Sequence, residues 1–100
     1  MKVYLDDMRP APNDYQLART YGDAIKLLKT GKVTHISLDH DLGTNKTGYD
    51  VLTWIEERVF NKIIKAPKIT IHTANPSARE KMLKGVRSIY RMSKKKKKKC

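Results

Sequence analysis

Cysteine is nearly missing from this chain. The single one, Cys100, is its last residue, so no intrachain disulfide can form. A fold without disulfide staples is expected to be cytoplasmic. Long apolar runs are missing too. Nothing approaches the roughly 18 consecutive apolar residues of a membrane span, and "MKVYLDDMRP" turns acidic before any apolar segment of signal-peptide length. Neither an aromatic ladder nor a base-reading motif is present, so sequence-specific nucleic-acid readout is not expected. Acids are scarce in one part only. Residues 1–61 hold eight Lys/Arg and nine Asp/Glu, whereas residues 62–100 hold fourteen Lys/Arg and one acid, Glu80.

The net charge of +12 therefore describes the C-terminal third and not the whole chain. Six of its lysines form the run Lys94–Lys99, whose mutual repulsion leaves it nothing to bury. We expect a single domain over residues 1–93, followed by a disordered basic tail over 94–100 that is either native or an attachment tag. A native tail would attract nucleic acid or anionic surfaces in a salt-sensitive way.

At 100 residues the chain can build one modest core. Four short runs read as strands: 2–5, 16–19, 34–38 and 68–73, the last two alternating and rich in β-branched residues. Helical patterns lie between them. Thr20 stands three residues before Asp23, ahead of "AIKLLKTG", and Gly31 supplies a stop. Thr47 and Asp50 repeat that spacing before "VLTWIEERVF", with Val51, Leu52, Ile55 and Val59 as the inward stripe. Asn75 and Pro76 open a third helix as N-cap and first helical residue. Ala78, Met82, Val86, Ile89 and Tyr90 carry its period past Gly85. The alternative ends the helix at Gly85 and makes "VRSIYRM" a fifth strand.

Strand, helix and strand in repetition imply a parallel sheet joined by right-handed crossovers. The first connection, "MRPAPNDY", has two prolines in eight residues and is too short for a crossover helix. The expected architecture is a compact three-layer α/β domain with a mainly parallel sheet of four or five strands.

In such a sheet, ligands bind beyond the carboxyl ends of the strands. Asp6 and Asp7 follow the first strand, Asp39 and Asp41 the third, and Thr73 and Asn75 the fourth. Like charges gathered on one rim repel, and a cation offsets that repulsion. Oxygen ligands of this kind suit Mg2+. Each acid also has a plainer reading as an Asx turn or a cap. His40 is a weak ligand candidate, and His35 and His72 read as structural strand residues. Arg9, just after the acidic pair, reads as a salt-bridge former, with contact to a bound phosphate as the alternative, and Asn75 reads first of all as a helix cap.

The order "KVYLDD", "HISLDHDLG", "TGYDVL", "ITIHTAN" resembles the receiver domain of two-component signalling, a flavodoxin-like fold, over about residues 2–84. More closely, the chain resembles a family of small receiver-like proteins of phages and bacteria that share "LDDxRP", "SLDHDLG", "TGYDVL" and "ANPxAR". The resemblance implies a metal site at Asp6, Asp7 and Asp39, a phosphorylatable Asp39, and Thr73 beside it. It departs from the receiver pattern in two places. The first receiver helix is replaced by "MRPAPNDY", and a phosphoryl-holding cation, Arg91 or Lys94, is available only if "VRSIYRM" is a strand.

"ISLDHDLGT" is also similar to the nucleophile motif of haloacid-dehalogenase-like phosphatases. That resemblance implies attack by Asp39 and general acid or base work by Asp41, but it needs a rearranged motif order and lacks the family's cap. Three functions follow as expectations. The first is a receiver-like regulatory or binding module with a Mg2+ pocket, acting on a protein partner. The second is a Mg2+-dependent phosphatase or phosphotransferase using Asp39, Asp41 and Thr73. The third is a non-specific nucleic-acid binder using the basic C-terminal third, the Lys94–Lys99 tail included.

Overall fold

Each of the three helices starts on a side chain that accepts a hydrogen bond from its first turn. The computed structural model describes residues 1–98, with side chains through Ser93. In helix α1 (Tyr21–Leu28), Thr20 Oγ1 accepts from the Asp23 amide at 3.1 Å. In α2 (Gly48–Phe60), Thr47 Oγ1 accepts from the Tyr49 amide at 3.2 Å, and Asp50 Oδ2 accepts from the Thr47 amide at 2.7 Å. In α3 (Pro76–Lys98), Asn75 Oδ1 accepts from the Ala78 amide at 3.2 Å. These bonds satisfy amides that a helix start leaves without partners.

The ends are as local. Gly31, at φ +74°, turns the chain after α1. After α2, Lys62 takes φ +61°, its amide donates to Val59 O, and the Ile63 amide donates to Arg58 O. This is a Schellman ending with lysine in the left-handed position usually held by glycine.

The strands are β1 (Lys2–Leu5), β2 (Tyr15–Ala18), β3 (His35–Leu38) and β4 (Lys68–Ile71), in the order β2-β1-β3-β4 and all parallel. The second strand begins one residue earlier than expected, the third one residue later, and the fourth ends two residues sooner. Residues 85–93 belong to α3, so the fifth strand does not exist. Gly85 is a close-approach residue and not a helix stop: a Cβ there would stand 2.8 Å from Leu52 Cδ2. The expected tail over 94–100 begins within the last turns of α3; its side chains, and residues 99 and 100 entirely, lie outside the described residues.

The register is even across the sheet, so Val3, Ile36 and Ile69 share one row and Leu5, Leu38 and Ile71 the next. Alternation sends all six to one face, and all six are buried. There they meet Ile55, Val59, Met82 and Ile89 in one core. Helix α2 packs between α1 and α3. Tyr90 Oη accepts the Ile69 amide at 2.8 Å, closing the outer edge of β4.

The fold is the expected small parallel α/β domain, with one correction to its layering. All three helices pack together on one face of the sheet, and the other face carries Tyr4, Tyr15, Leu17, His35, Ser37 and Thr70 with no helix over it among the described residues. The cause is topological. The crossovers β2–α1–β3 and β3–α2–β4 run the same way across the sheet, and right-handed connections in one direction put both helices on one side. The step from β1 to β2 runs the other way, but residues 6–14 make it without a helix. The missing crossover helix is the missing layer. No helix among the described residues is long and apolar enough to cross a membrane.

Candidate functional site

The ladder continues one residue beyond β1, β3 and β4. Asp6 N–H donates to Ala18 O, Asp39 N–H to Leu5 O and His72 N–H to Leu38 O, each at 3.0 Å. Asp6, Asp39 and His72 therefore stand side by side at the carboxyl edge. Their alternation follows Tyr4, Ser37 and Thr70, so their side chains share the uncovered face. One ligand atom from each of the three lies within 4.8 Å of the other two.

Asp6 is 2% exposed, and both of its oxygens accept hydrogen bonds. Its Oδ1 accepts from the amides of Met8 and Arg9, both at 2.9 Å, and its Oδ2 faces His72 Nε2 at 3.1 Å. His72 Nδ1 lies 2.7 Å from Ser37 Oγ, and its ring stacks flat on Tyr4 at 4.3 Å between centroids. An ionised carboxylate only accepts, so Nε2 carries the proton toward Asp6 and the Ser37 hydroxyl donates to Nδ1. This chain fixes the Asp6 rotamer. Burial pushes the Asp6 pKa up, but the Arg9 and Met8 amides and His72 outweigh it and hold the group below 3.8.

Asp39 is set the other way. Burial raises its pKa, the His40 amide on Oδ1 at 2.8 Å opposes that, and repulsion from Asp6 and Asp7 adds to the rise. Behind Asp39 the first residue of α2 is pressed against its backbone. A Cβ on Gly48 would fall 1.6 Å from the Asp39 carbonyl oxygen, and the Gly48 amide donates to His40 O at 2.9 Å. Only glycine fits here, so "TG" both caps α2 and seats the strand end that carries Asp39.

A pocket of about 260 Å³ is lined by Asp6, Asp7, Arg9, Asp39, Asp41 and Thr73, together with Met8, Ala74 and Asn75. Every residue singled out as catalytic or metal-binding thus reaches one rim, though not in equal roles. The Asp41 side chain is 74% exposed and pairs with His40 Nδ1 at 3.0 Å. Thr73 is buried, and its Oγ1 accepts from the Asn75 amide at 3.2 Å, which leaves the hydroxyl proton to donate. Asn75 is the cap expected of it.

Two expectations change. The Arg9 guanidinium has no ion pair among the described residues; the salt bridges there are His40–Asp41, Arg58–Glu57 and His72–Asp6. The Arg9 backbone does the holding instead, through its amide on Asp6 and its carbonyl on Arg19 Nη1 at 2.9 Å. His72, read as a structural strand residue, stands in the acidic row. The misplaced end of the fourth strand hid it: with the strand closing at Ile71, His72 occupies the position on β4 that Asp6 and Asp39 occupy on β1 and β3.

The donor set fits a hard divalent cation. Four carboxylates line the pocket, and the unfavourable charge on Asp39 comes in part from its acidic neighbours. Because His72 Nε2 already donates to Asp6, the imidazole fits the role of orienting a ligand and not of being one.

A parallel sheet with acids ending two adjacent strands and a threonine after the next is the site of a receiver-type domain. The chain belongs to the family described as the cyclic-phosphate processing receiver domain, whose model matches residues 1–88. Searches among curated proteins and among solved structures each found no match.

Proposed function

We propose that this receiver domain holds Mg2+ through Asp6, Asp7 and Asp39 and hydrolyses a cyclic phosphate ester at that rim. The observation that carries the reading is the single pocket that Asp6, Asp7 and Asp39 line at the carboxyl edge, with ligand atoms of Asp6 and Asp39 within 4.8 Å of each other. The family's description supplies the substrate class. When bound, the cation neutralises phosphate charge and polarises the phosphorus–oxygen bonds. Arg9, exposed and without an ion pair among the described residues, attracts the phosphate from the pocket's rim, and the Thr73 hydroxyl donates to a phosphate oxygen. An oxygen of Asp39 accepts a proton from the attacking water as the water oxygen bonds to phosphorus. The ring phosphorus–oxygen bond breaks, the leaving oxygen takes a proton from solvent at the open rim, and Asp39 returns its own proton to solvent. The product is the ring-opened phosphate monoester.

A second reading keeps the receiver's regulatory role, with Mg2+ at the same acids, phosphorylation of Asp39 and action on a protein partner. Membership of a receiver family supports it. The course of α3 favours hydrolysis, because residues 85–93 are helical and Arg91 is not at the end of a fifth strand where it could hold a phosphoryl group.

Phosphorus NMR on a panel of five- and six-membered cyclic phosphates with Mg2+ separates the readings. Hydrolysis is expected to give ring-opened monoester, with turnover at least about a hundredfold lower in Asp39→Asn. Mg2+-induced shifts of the Asp39 amide with no turnover on any ester would leave the regulatory reading. No Mg2+ response at all would overturn both.

A further inference from the structure

The opposite edge of the sheet carries a second concavity that the phosphate chemistry does not use. It has a volume of about 570 Å³ and is lined by Leu28, Val33, Ile63, Ile64, Ala66 and Pro67, with Gly31, Thr34 and Lys65 completing it. Val33 and Thr34 lead into β3 and Pro67 into β4, so this groove sits at the amino edge, the far end of the strands from Asp6 and Asp39. Its size falls within the roughly 300–1,000 Å³ of functional ligand pockets.

Two further features mark it. The Schellman turn after α2 leaves Phe60 68% and Ile63 64% exposed, two of the largest apolar side chains left in water. The charged residues of the two loops around it are all lysines. Lys29 and Lys32 follow Leu28, Lys62 and Lys65 flank Ile63 and Ile64, and all four lysines are exposed. There is no acid between Asp23 and Asp39, nor between Glu57 and Glu80. The two loops that build the groove thus bring apolar walls and positive charge without a single compensating carboxylate.

We infer that this groove is a docking site for an acidic segment of a partner protein that carries bulky aliphatic side chains. The charge of the loops selects the sign of the partner and speeds its encounter; the aliphatic lining supplies the desolvated contact where binding energy concentrates. Nucleic acid shares the charge but not the lining, since aliphatic walls neither stack on bases nor hydrogen-bond to them. A bilayer is flat and cannot enter a concavity. The site is independent of the acidic rim, so it stands whether or not the domain is a hydrolase.

The test uses the full chain, isotopically labelled, with a short synthetic peptide alternating glutamate and leucine as the probe. Amide shifts are expected within residues 28–34 and 60–68, and Ile63→Ser, a change at an exposed position, is expected to weaken binding about tenfold. Lys62→Glu combined with Lys65→Glu should weaken it further and reduce its salt dependence. The inference is overturned by shifts confined to residues 91–98, by equal affinity for a peptide with serine in place of leucine, or by no shifts in the groove at millimolar peptide. Stronger binding of polyuridylate or of phosphatidylglycerol vesicles, unaffected by Ile63→Ser, also overturns it.

Discussion

At the carboxyl edge of the sheet, Asp6 is 2% exposed and each of its oxygens is engaged. At the amino edge, Ile63 is 64% exposed and the flanking lysines have no acid in their loops. One edge concentrates negative charge in a hydrogen-bonded cage, and the other sets apolar surface among positive charge. A parallel sheet makes this separation simple. All strands end together, so residues placed after strands collect at one rim and residues placed before them at the other. The difference teaches where geometry is tightly specified. The acidic rim depends on fixed rotamers and on one glycine, whereas the basic edge depends on composition and exposure.

The sharpest way to break this contrast is Gly48→Ala. A Cβ 1.6 Å from the Asp39 carbonyl cannot be relieved by a rotamer change, so α2 must withdraw from the strand. Urea denaturation is expected to show a loss of about 3 kcal/mol or more, with the Mg2+ response lost and amide shifts at residues 28–34 comparatively small. A loss below about 1 kcal/mol would mean the helix start is not seated as described.

Next in size is His72→Ala. It leaves the Asp6 carboxylate and the Ser37 hydroxyl without their buried partner, at a cost of about 1–3 kcal/mol. Mg2+ affinity is expected to fall as well, because Asp6 loses the bond that sets its rotamer. Wild-type affinity in a folded variant would assign His72 to packing on Tyr4 alone.

Asp39→Asn should act in the opposite direction, raising metal-free stability at neutral pH by about 1 kcal/mol while abolishing the Mg2+ response. The pH dependence follows from the two carboxylates. With its folded pKa raised above 3.8, Asp39 binds a proton in the native state before the unfolded chain does. Its contribution to stability therefore grows as pH falls from neutral through that raised pKa. Asp6 is held below 3.8, so its stabilising contribution is complete above 3.8 and is lost as pH falls through its lower folded pKa. Unfolding measured across acid pH should show the first trend disappear in Asp39→Asn and the second persist.

The smallest effect sharpens the other edge. Lys62 holds φ +61° in the turn after α2, where an L side chain is strained and glycine is not. Lys62→Gly is expected to stabilise the fold by about 0.5–1 kcal/mol with the Mg2+ response unchanged. Thermal unfolding with and without Mg2+ checks both halves; a change in metal affinity would show that the two edges are coupled.

Much of this was legible in the chain itself. Thr20, Thr47 and Asn75 announced three helix starts because capping is settled within a few residues. The stripe Val51, Leu52, Ile55 and Val59 announced the inward face of α2 for the same reason. Asp6, Asp7 and Asp39 were recognisable as rim residues because each follows an apolar run. His72 was not, because its role turns on β4 ending at Ile71. The second layer of helices was over-read, because right-handed crossovers cover both faces only when the chain steps both ways with helices. Arg9 was paired with acids by proximity in sequence, but its backbone and not its guanidinium meets Asp6.

The amino-acid order alone determined which segments are strands and helices, where the helices start, and that acids follow strands while lysines crowd the loops that precede them. Those features depend on neighbours a few residues away. Tertiary structure decided that Asp6, Asp39 and His72 share one row, that Ser37 bonds the imidazole and Tyr4 stacks on it, and that no helix among the described residues covers the second face of the sheet. These depend on strand order and register, which place residues dozens of positions apart within a few ångströms and leave no mark in any local window.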